Sequence, residues 1–234
     1  MEIKNSRVLV TGGSSGIGKA TAALLAENGA KVIITGRDKE KLFRVAEEIG
    51  AIPLHTDVAN PDDLENTEKA IKEKLGGLDA LVNNAGIGDF APLATVSLDS
   101  FKKVYETNVF GLAMLTQKVL PFFINQQKGN IINIASTAAL KGFANGSVYS
   151  SSKFALRGMT ECWRAELRQY NIRVMLVNPS EVKTAFFSDK REERAEEPSK
   201  LRSYDIALVI KQCLEVDDRA FIPELSVWAT NPKD

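Results

Sequence analysis

The chain has 234 residues, 44% of them hydrophobic and 26% charged, which is the composition of an ordinary folded domain. Its 30 lysines and arginines balance 30 aspartates and glutamates, which excludes the basic footprint of a nucleic-acid binder and the polybasic patch of a membrane-surface protein. One histidine, His55, and two cysteines, Cys162 and Cys213, with no C-x-x-C pair, exclude a His/Cys metal site.

Acid–base chemistry away from His55 must therefore come from Tyr, Lys, Asp or Glu with tuned pKa values. No apolar run of signal-peptide length opens the sequence, and none reaches the roughly 18 residues of a membrane span. With two scattered thiols, the expected location is cytoplasmic.

In chain order, Arg7 to Val10 reads as a strand and Gly16 to Asn28 as a helix stopped by Gly29. Lys31 to Thr35 is a second strand, Asp38 to Ile49 an amphipathic helix, and Ile52 to His55 a third strand. Asn60, Pro61, Asp62 and Asp63 open a helix that runs to Gly76-Gly77. Asp79 to Val82 is a fourth strand, and a long helix follows Ser97 as far as Pro121 or slightly beyond. Gly129 to Ala135 is a fifth strand, Tyr149 to Gln169 a second long helix, and Arg173 to Val177 a sixth strand. Ser203 to Leu214 is a late helix and Ala220 to Ile222 the expected last strand. Strands alternating with helices imply βαβ units and a parallel sheet covered on both faces. No Pro/Gly/Ser linker divides the chain, so residues 1–234 read as one α/β domain. The charged stretch from Phe186 to Lys200 has three readings: a substrate lid over 185–200, a short helix, or a solvated surface segment.

The first strand runs into Thr11-Gly12-Gly13-Ser14-Ser15-Gly16-Ile17-Gly18 and then a helix. Such a turn lets the backbone approach a pyrophosphate, and the helix N-terminus offers it N–H groups and a positive dipole end. The spacing is G-x-x-x-G-x-G in the strand–turn–helix context that a dinucleotide site requires. The second strand ends at Thr35, followed by Gly36-Arg37-Asp38. Arg37 suits the 2′-phosphate of NADP(H), with NAD(H) the lesser expectation; if Asp38 faces the ribose instead, the preference reverses.

Together with Asp57 after the third strand, Asn83-Asn84-Ala85-Gly86 after the fourth, Asn108, Ser136 and Tyr149-x-x-x-Lys153, these motifs resemble the short-chain dehydrogenase/reductase family over nearly the whole chain. The resemblance implies a Rossmann-type, doubly wound, three-layer fold. It also implies an oxidoreductase that moves hydride between NADP(H) and a carbonyl or secondary alcohol. By the same resemblance, Tyr149 is the general acid/base and Lys153 binds the nicotinamide ribose. Ser136 hydrogen-bonds the substrate oxygen, and Asn108 holds a water linking Lys153 to solvent. Gly12, Ser14, Ser15, Gly16, Ile17 and Gly18 would hold the pyrophosphate, Asp57 and Val58 the adenine. Asn84, Ala85 and Gly86 would lie below the cofactor, with Pro179, Val182 and Thr184 near the carboxamide.

Four residues apart on a helix, Tyr149 and Lys153 share one face. A nearby ammonium and an oxidised nicotinamide are expected to lower the tyrosine from its usual pKa near 10. Two departures from the family stand out: Ser180 replaces the glycine expected after Pro179, and the C-terminus lacks the Gly-rich apolar tail of carrier-protein-linked reductases. His55, Cys162 and Cys213 read as structural. Ala138, Leu140, Phe143, Val148, Phe186 and Phe187 are the candidate pocket residues, which favours an apolar carbonyl substrate. Two alternatives on the same fold are a catalytically idle NADP(H)-binding sensor and a sugar-nucleotide epimerase or dehydratase. The expected assembly is a homodimer or homotetramer paired through the two long helices.

Overall fold

The computed structural model describes residues 1–187, 195, 197 and 199–231. Its seven strands form one sheet in which each pairing is parallel, ordered β3-β2-β1-β4-β5-β6-β7. They are β1 (Arg7–Val10), β2 (Lys31–Gly36), β3 (Ile52–His55), β4 (Ala80–Asn83), β5 (Gly129–Ile134), β6 (Ile172–Pro179) and β7 (Glu224–Val227). The helices are α1 (Gly16–Glu27), α2 (Lys39–Ile49), α3 (Pro61–Leu75), α4 (Leu98–Tyr105), α5 (Leu112–Asn125), α6 (Ser147–Leu167) and α7 (Ser203–Glu215).

Strand alternation divides the core. Val8 and Val10 face a cluster with Leu25 of α1, Val45 of α2 and Ile206 and Ile210 of α7. Leu9 faces the other way, toward Leu64 and Ile71 of α3 and Leu115 and Phe123 of α5. Fully burying one such side chain stabilises the fold by about 1.5–3 kcal/mol, so both sheet faces have to be covered. The strand order reverses between β1 and β4, which opens a crevice at their carboxyl ends.

Local signals behave as the residue types dictate. The Asn60 side chain accepts from the Asp62 N–H at 3.0 Å and Pro61 occupies the first helical position. Asp38 caps α2 by accepting from the Lys41 N–H at 3.0 Å.

Two elements differ from the sequence reading. The long helix is broken by a π turn over Glu106–Gly111, though it ends, as expected, slightly beyond Pro121 at Asn125. The last strand is Glu224–Val227, not Ala220 to Ile222. The reason is Arg173, whose guanidinium takes the Ala220 carbonyl at 3.1 Å and holds that stretch as a loop. Pro223 then precedes a strand that satisfies Glu224 outward, on Arg157 at 3.1 Å and Asn178 at 3.0 Å. The continuous run Leu98–Asn125 is long and apolar enough to cross a membrane by composition, but half of that stretch is buried inside the protein, as in a core helix.

Candidate active site

A cleft of about 940 Å³ opens along the carboxyl ends of the strands. Its floor begins at Thr11. That hydroxyl accepts from the N–H groups of Asn84 and Ala85, at 3.0 and 2.9 Å, and so ties the loop after β4 to the end of β1. The Asn84 amide donates back to the Thr11 and Gly12 carbonyls at 2.9 and 3.2 Å. The glycine turn is thus clamped from below. Gly12 sits at φ +64°, which L side chains rarely adopt, and a Cβ on Gly18 would overlap the Gly12 carbonyl. Only glycine lets α1 pack this closely under the turn.

The start of α1 is built for an anion. Ser15 stands at its N-cap with no side-chain capping bond, and no acidic residue occupies the first turn. The helix dipole therefore meets the cleft without a competing carboxylate. The chemistry of this helix start suits a diphosphate. At the far end, Arg37 and Lys41 line the cleft. Asp38 lines it too, but its carboxylate is held as the cap of α2. His55 Nε2 lies 2.9 Å from the Arg37 carbonyl and braces that loop. Asp57 lines the cleft and also accepts from the Ala59 N–H at 3.0 Å, so it serves as a turn residue as well.

The central residues come from three elements. Ser136 follows β5, and its hydroxyl accepts from the Ala138 N–H at 3.1 Å. Tyr149 and Lys153 project from one face of α6. The Lys153 ammonium donates to the Ile134 carbonyl at 3.0 Å and lies 5.7 Å from the Tyr149 ring centroid. Burial pushes the Tyr149 phenol up to about 12, although its hydrogen bond with Ser136 pulls the other way. Burial lowers Lys153 to about 8. The lowering expected for the tyrosine rests on the ammonium and an oxidised nicotinamide together; with the protein alone around it, burial is the larger influence on the phenol. The arrangement is a proton donor beside a cation, both shielded from water.

Asn108 lies in the π turn, fully buried. Its Oδ1 accepts from the Ile87 N–H, and its Nδ2 donates to the Ile87 carbonyl, both at 2.9 Å, and to Ser152 Oγ at 3.1 Å. This side chain holds the loop after β4 against α6, a positioning role that the sequence did not reveal.

The cleft brings together Gly12, Ser14, Ser15, Gly16, Ile17, Arg37, Asp57, Val58, Asn84, Ala85, Gly86, Ser136, Tyr149, Lys153, Pro179, Val182 and Thr184. Gly18 and Asn108 stand behind its wall and shape it. Ala138, Phe143 and Phe186 line it, whereas Leu140 and Val148 do not; Val148 is buried against Ile87 and Val104. The side chain of Phe187 lies outside the described residues. Phe90 and Trp228 line the cleft and were missed by the sequence reading. Ser180 takes the place of glycine without a left-handed backbone, and its N–H donates to the Val227 carbonyl at 2.8 Å. Of the expected lid, residues 188–194, 196 and 198 lie outside the described residues. Its ends are anchored: Val182 bridges to Leu201, and Lys183 pairs with Glu197 and Lys200 with Glu181, both at 2.9 Å. Among the described residues, no three His, Cys, Asp or Glu side chains group as metal ligands.

Comparison with known proteins accounts for this geometry. An oxidoreductase of Listeria monocytogenes is 34% identical over 99% of both chains. The crystal structure of a 3-ketoacyl-(acyl-carrier-protein) reductase of Brucella melitensis complexed with NADH superposes with a TM-score of 0.89. It is 29% identical and the match covers 97% of this chain and 98% of that one. A metagenomic short-chain oxidoreductase in complex with NADP gives a TM-score of 0.84 at 31% identity, over 100% and 99% of the two chains. The short-chain dehydrogenase profile matches residues 6–195, and the chain belongs to that family of oxidoreductases.

Proposed function

We propose that the protein interconverts a carbonyl compound and its secondary alcohol, using NADP(H), with Tyr149 as the general acid/base. The observation that carries this reading is the buried Tyr149, hydrogen-bonded to Ser136 and flanked by Lys153 in the cleft. When bound, the nicotinamide supplies or accepts hydride at the substrate carbon. Tyr149 gives its phenolic proton to the carbonyl oxygen in reduction. Ser136 hydrogen-bonds that oxygen, which stabilises the charge developing on it. The Lys153 ammonium offsets the charge left on the phenolate and holds the nicotinamide ribose. Asn108 is a positioning residue that fixes Gly86 and Ile87 beneath the ring.

The turn from Gly12 to Gly18 and the start of α1 bind the diphosphate. Asp57 and Val58 hold the adenine, Asn84 to Gly86 the underside of the cofactor, and Pro179, Val182 and Thr184 the carboxamide. Arg37 reads the 2′-phosphate. The related structures hold NADP in one case and NADH in another, and the capping role of Asp38 favours the phosphate-bearing form here. The complete set of Ser136, Tyr149 and Lys153 favours turnover over idle cofactor binding.

The test is oxidation of NADPH and NADH, in parallel, against a panel of ketones, aldehydes and quinones, with Tyr149→Phe as the blank. Turnover that is faster with NADPH and lost in the variant is expected. Tight NADPH binding with no turnover on any carbonyl class would overturn it.

A further inference from the structure

The substrate half of the cleft is walled by rings. Phe90 lies 5.4 Å from Tyr149, centroid to centroid, and 6.1 Å from Phe143. Phe186 lies 5.5 Å from Tyr149. Each pair is tilted, by 56°, 38° and 60°. The rings are held in place by the backbone around them. The Ala91 N–H donates to the Asn145 carbonyl at 3.0 Å, which joins the Phe90 loop to the Phe143 turn. A Cβ on Gly88 would fall 2.7 Å from the Phe90 ring and 2.9 Å from the Phe186 ring. A Cβ on Gly146 would fall 2.7 Å from the Phe143 ring. Two glycines thus make room for three phenylalanines. Phe90 and Phe143 nevertheless keep 38% and 51% of their surface exposed, beside the proposed acid. Of the charged residues in the cleft lining, Glu181 is paired with Lys200 at 2.9 Å, and Lys141 lies two residues before Phe143.

We propose, resting on the function given above, that this wall selects a substrate with a flat ring next to its carbonyl, and that Phe90 and Phe143 determine the selection. Aromatic rings 4.5–7 Å apart attract through their quadrupoles beyond the area they bury. An aliphatic chain of equal size gains the area alone. Each ring contact favours a flat aromatic by about 2- to 12-fold, so two contacts give about 5- to 150-fold discrimination.

The experiment compares two ketones with equal carbon counts, methyl phenyl ketone and methyl hexyl ketone, as kcat/KM with NADPH and with NADH. Wild type is expected to favour the phenyl compound by about fivefold or more. Phe90→Leu and Phe143→Leu keep the apolar volume and remove the ring. Each is expected to shrink the ratio several-fold, mainly through KM for the phenyl compound. Equal or reversed preference in wild type, or a ratio that both variants leave intact, overturns the inference while turnover itself upholds the function. Turnover confined to open-chain 3-oxoacyl esters does the same. Absence of turnover on every carbonyl compound overturns both.

Discussion

Lys153 directs its ammonium group at the Ile134 carbonyl, 3.0 Å away, and so stands 5.7 Å from the centre of the Tyr149 ring without bonding the phenol. Its buried charge comes at a cost to the fold. Burial lowers Lys153 to about 8 from an unfolded value of 10.5. The unfolded chain therefore binds more protons between those two values, and stability rises with pH across that window. Below pH 8 the full penalty applies, about 3 kcal/mol at 1.36 kcal/mol per pKa unit. Lys153→Met removes the charge but leaves the Ile134 carbonyl without its donor, an offset of about 1–2 kcal/mol. The variant is expected to be more stable than wild type by about 1–2 kcal/mol at pH 7. That gain shrinks as pH rises from 8 to 10.5, where unfolded Lys153 also loses its proton. Urea denaturation across pH checks this; a variant less stable at pH 7 contradicts it.

Activity should titrate in the opposite sense. Tyr149, at about 12, keeps its proton throughout the working range, so the group that changes is Lys153. For the free enzyme, kcat/KM in the reductive direction is expected to fall as pH rises through about 8, when the ammonium is lost. Tyr149→Phe removes the proton donor and should lower kcat by about 100- to 10,000-fold at all pH values. Binding of NADPH, followed by fluorescence, should survive. An unchanged profile above pH 8 would place the lysine outside the chemistry.

In the proposed function cofactor choice rests on Arg37. Asp38 accepts from the Lys41 N–H at 3.0 Å and caps α2, and Arg37 lines the cleft beside it. Hydrogen bonds to charged groups contribute about 1.5–3 kcal/mol, so Arg37→Ala is expected to raise KM for NADPH about 10- to 150-fold. KM for NADH should move far less, because that cofactor lacks the phosphate. A variant that affects both cofactors equally would remove Arg37 from phosphate recognition.

Much of this arrangement can be read from residue order, because its causes are local. Tyr149 and Lys153 share a helix face by spacing alone, and Gly12 to Gly18 between a strand and a helix needs no distant partner to be recognised. Other features have distant causes. The π turn at Glu106–Gly111 shifts backbone hydrogen bonds without a marker residue, so the grip of Asn108 on Ile87 stays hidden. The last strand was misplaced because Arg173, 47 residues earlier, holds Ala220 in a loop. Phe90 stands in an irregular loop with no periodicity, and only its packing on Tyr149 marks it. Burial likewise decided the direction of the Tyr149 shift, which spacing could not give.

The remaining expectation is assembly through the long helices. Phe110 in the π turn and Phe154 in α6 keep 58% and 44% of their surface exposed, and Met114 of α5 is exposed with them. Burying each phenylalanine against a second copy would contribute about 1.5–3 kcal/mol, and a two-fold arrangement counts each twice. Phe154 follows Lys153 directly, so an interface here would back the helix that carries the site. Light scattering after size exclusion is expected to give at least a dimer at micromolar concentration. Phe154→Glu places a charge in that contact and should shift the species toward a monomer of 25.6 kDa. A wild-type monomer, or a dimer indifferent to Phe154→Glu, would remove these helices from the interface.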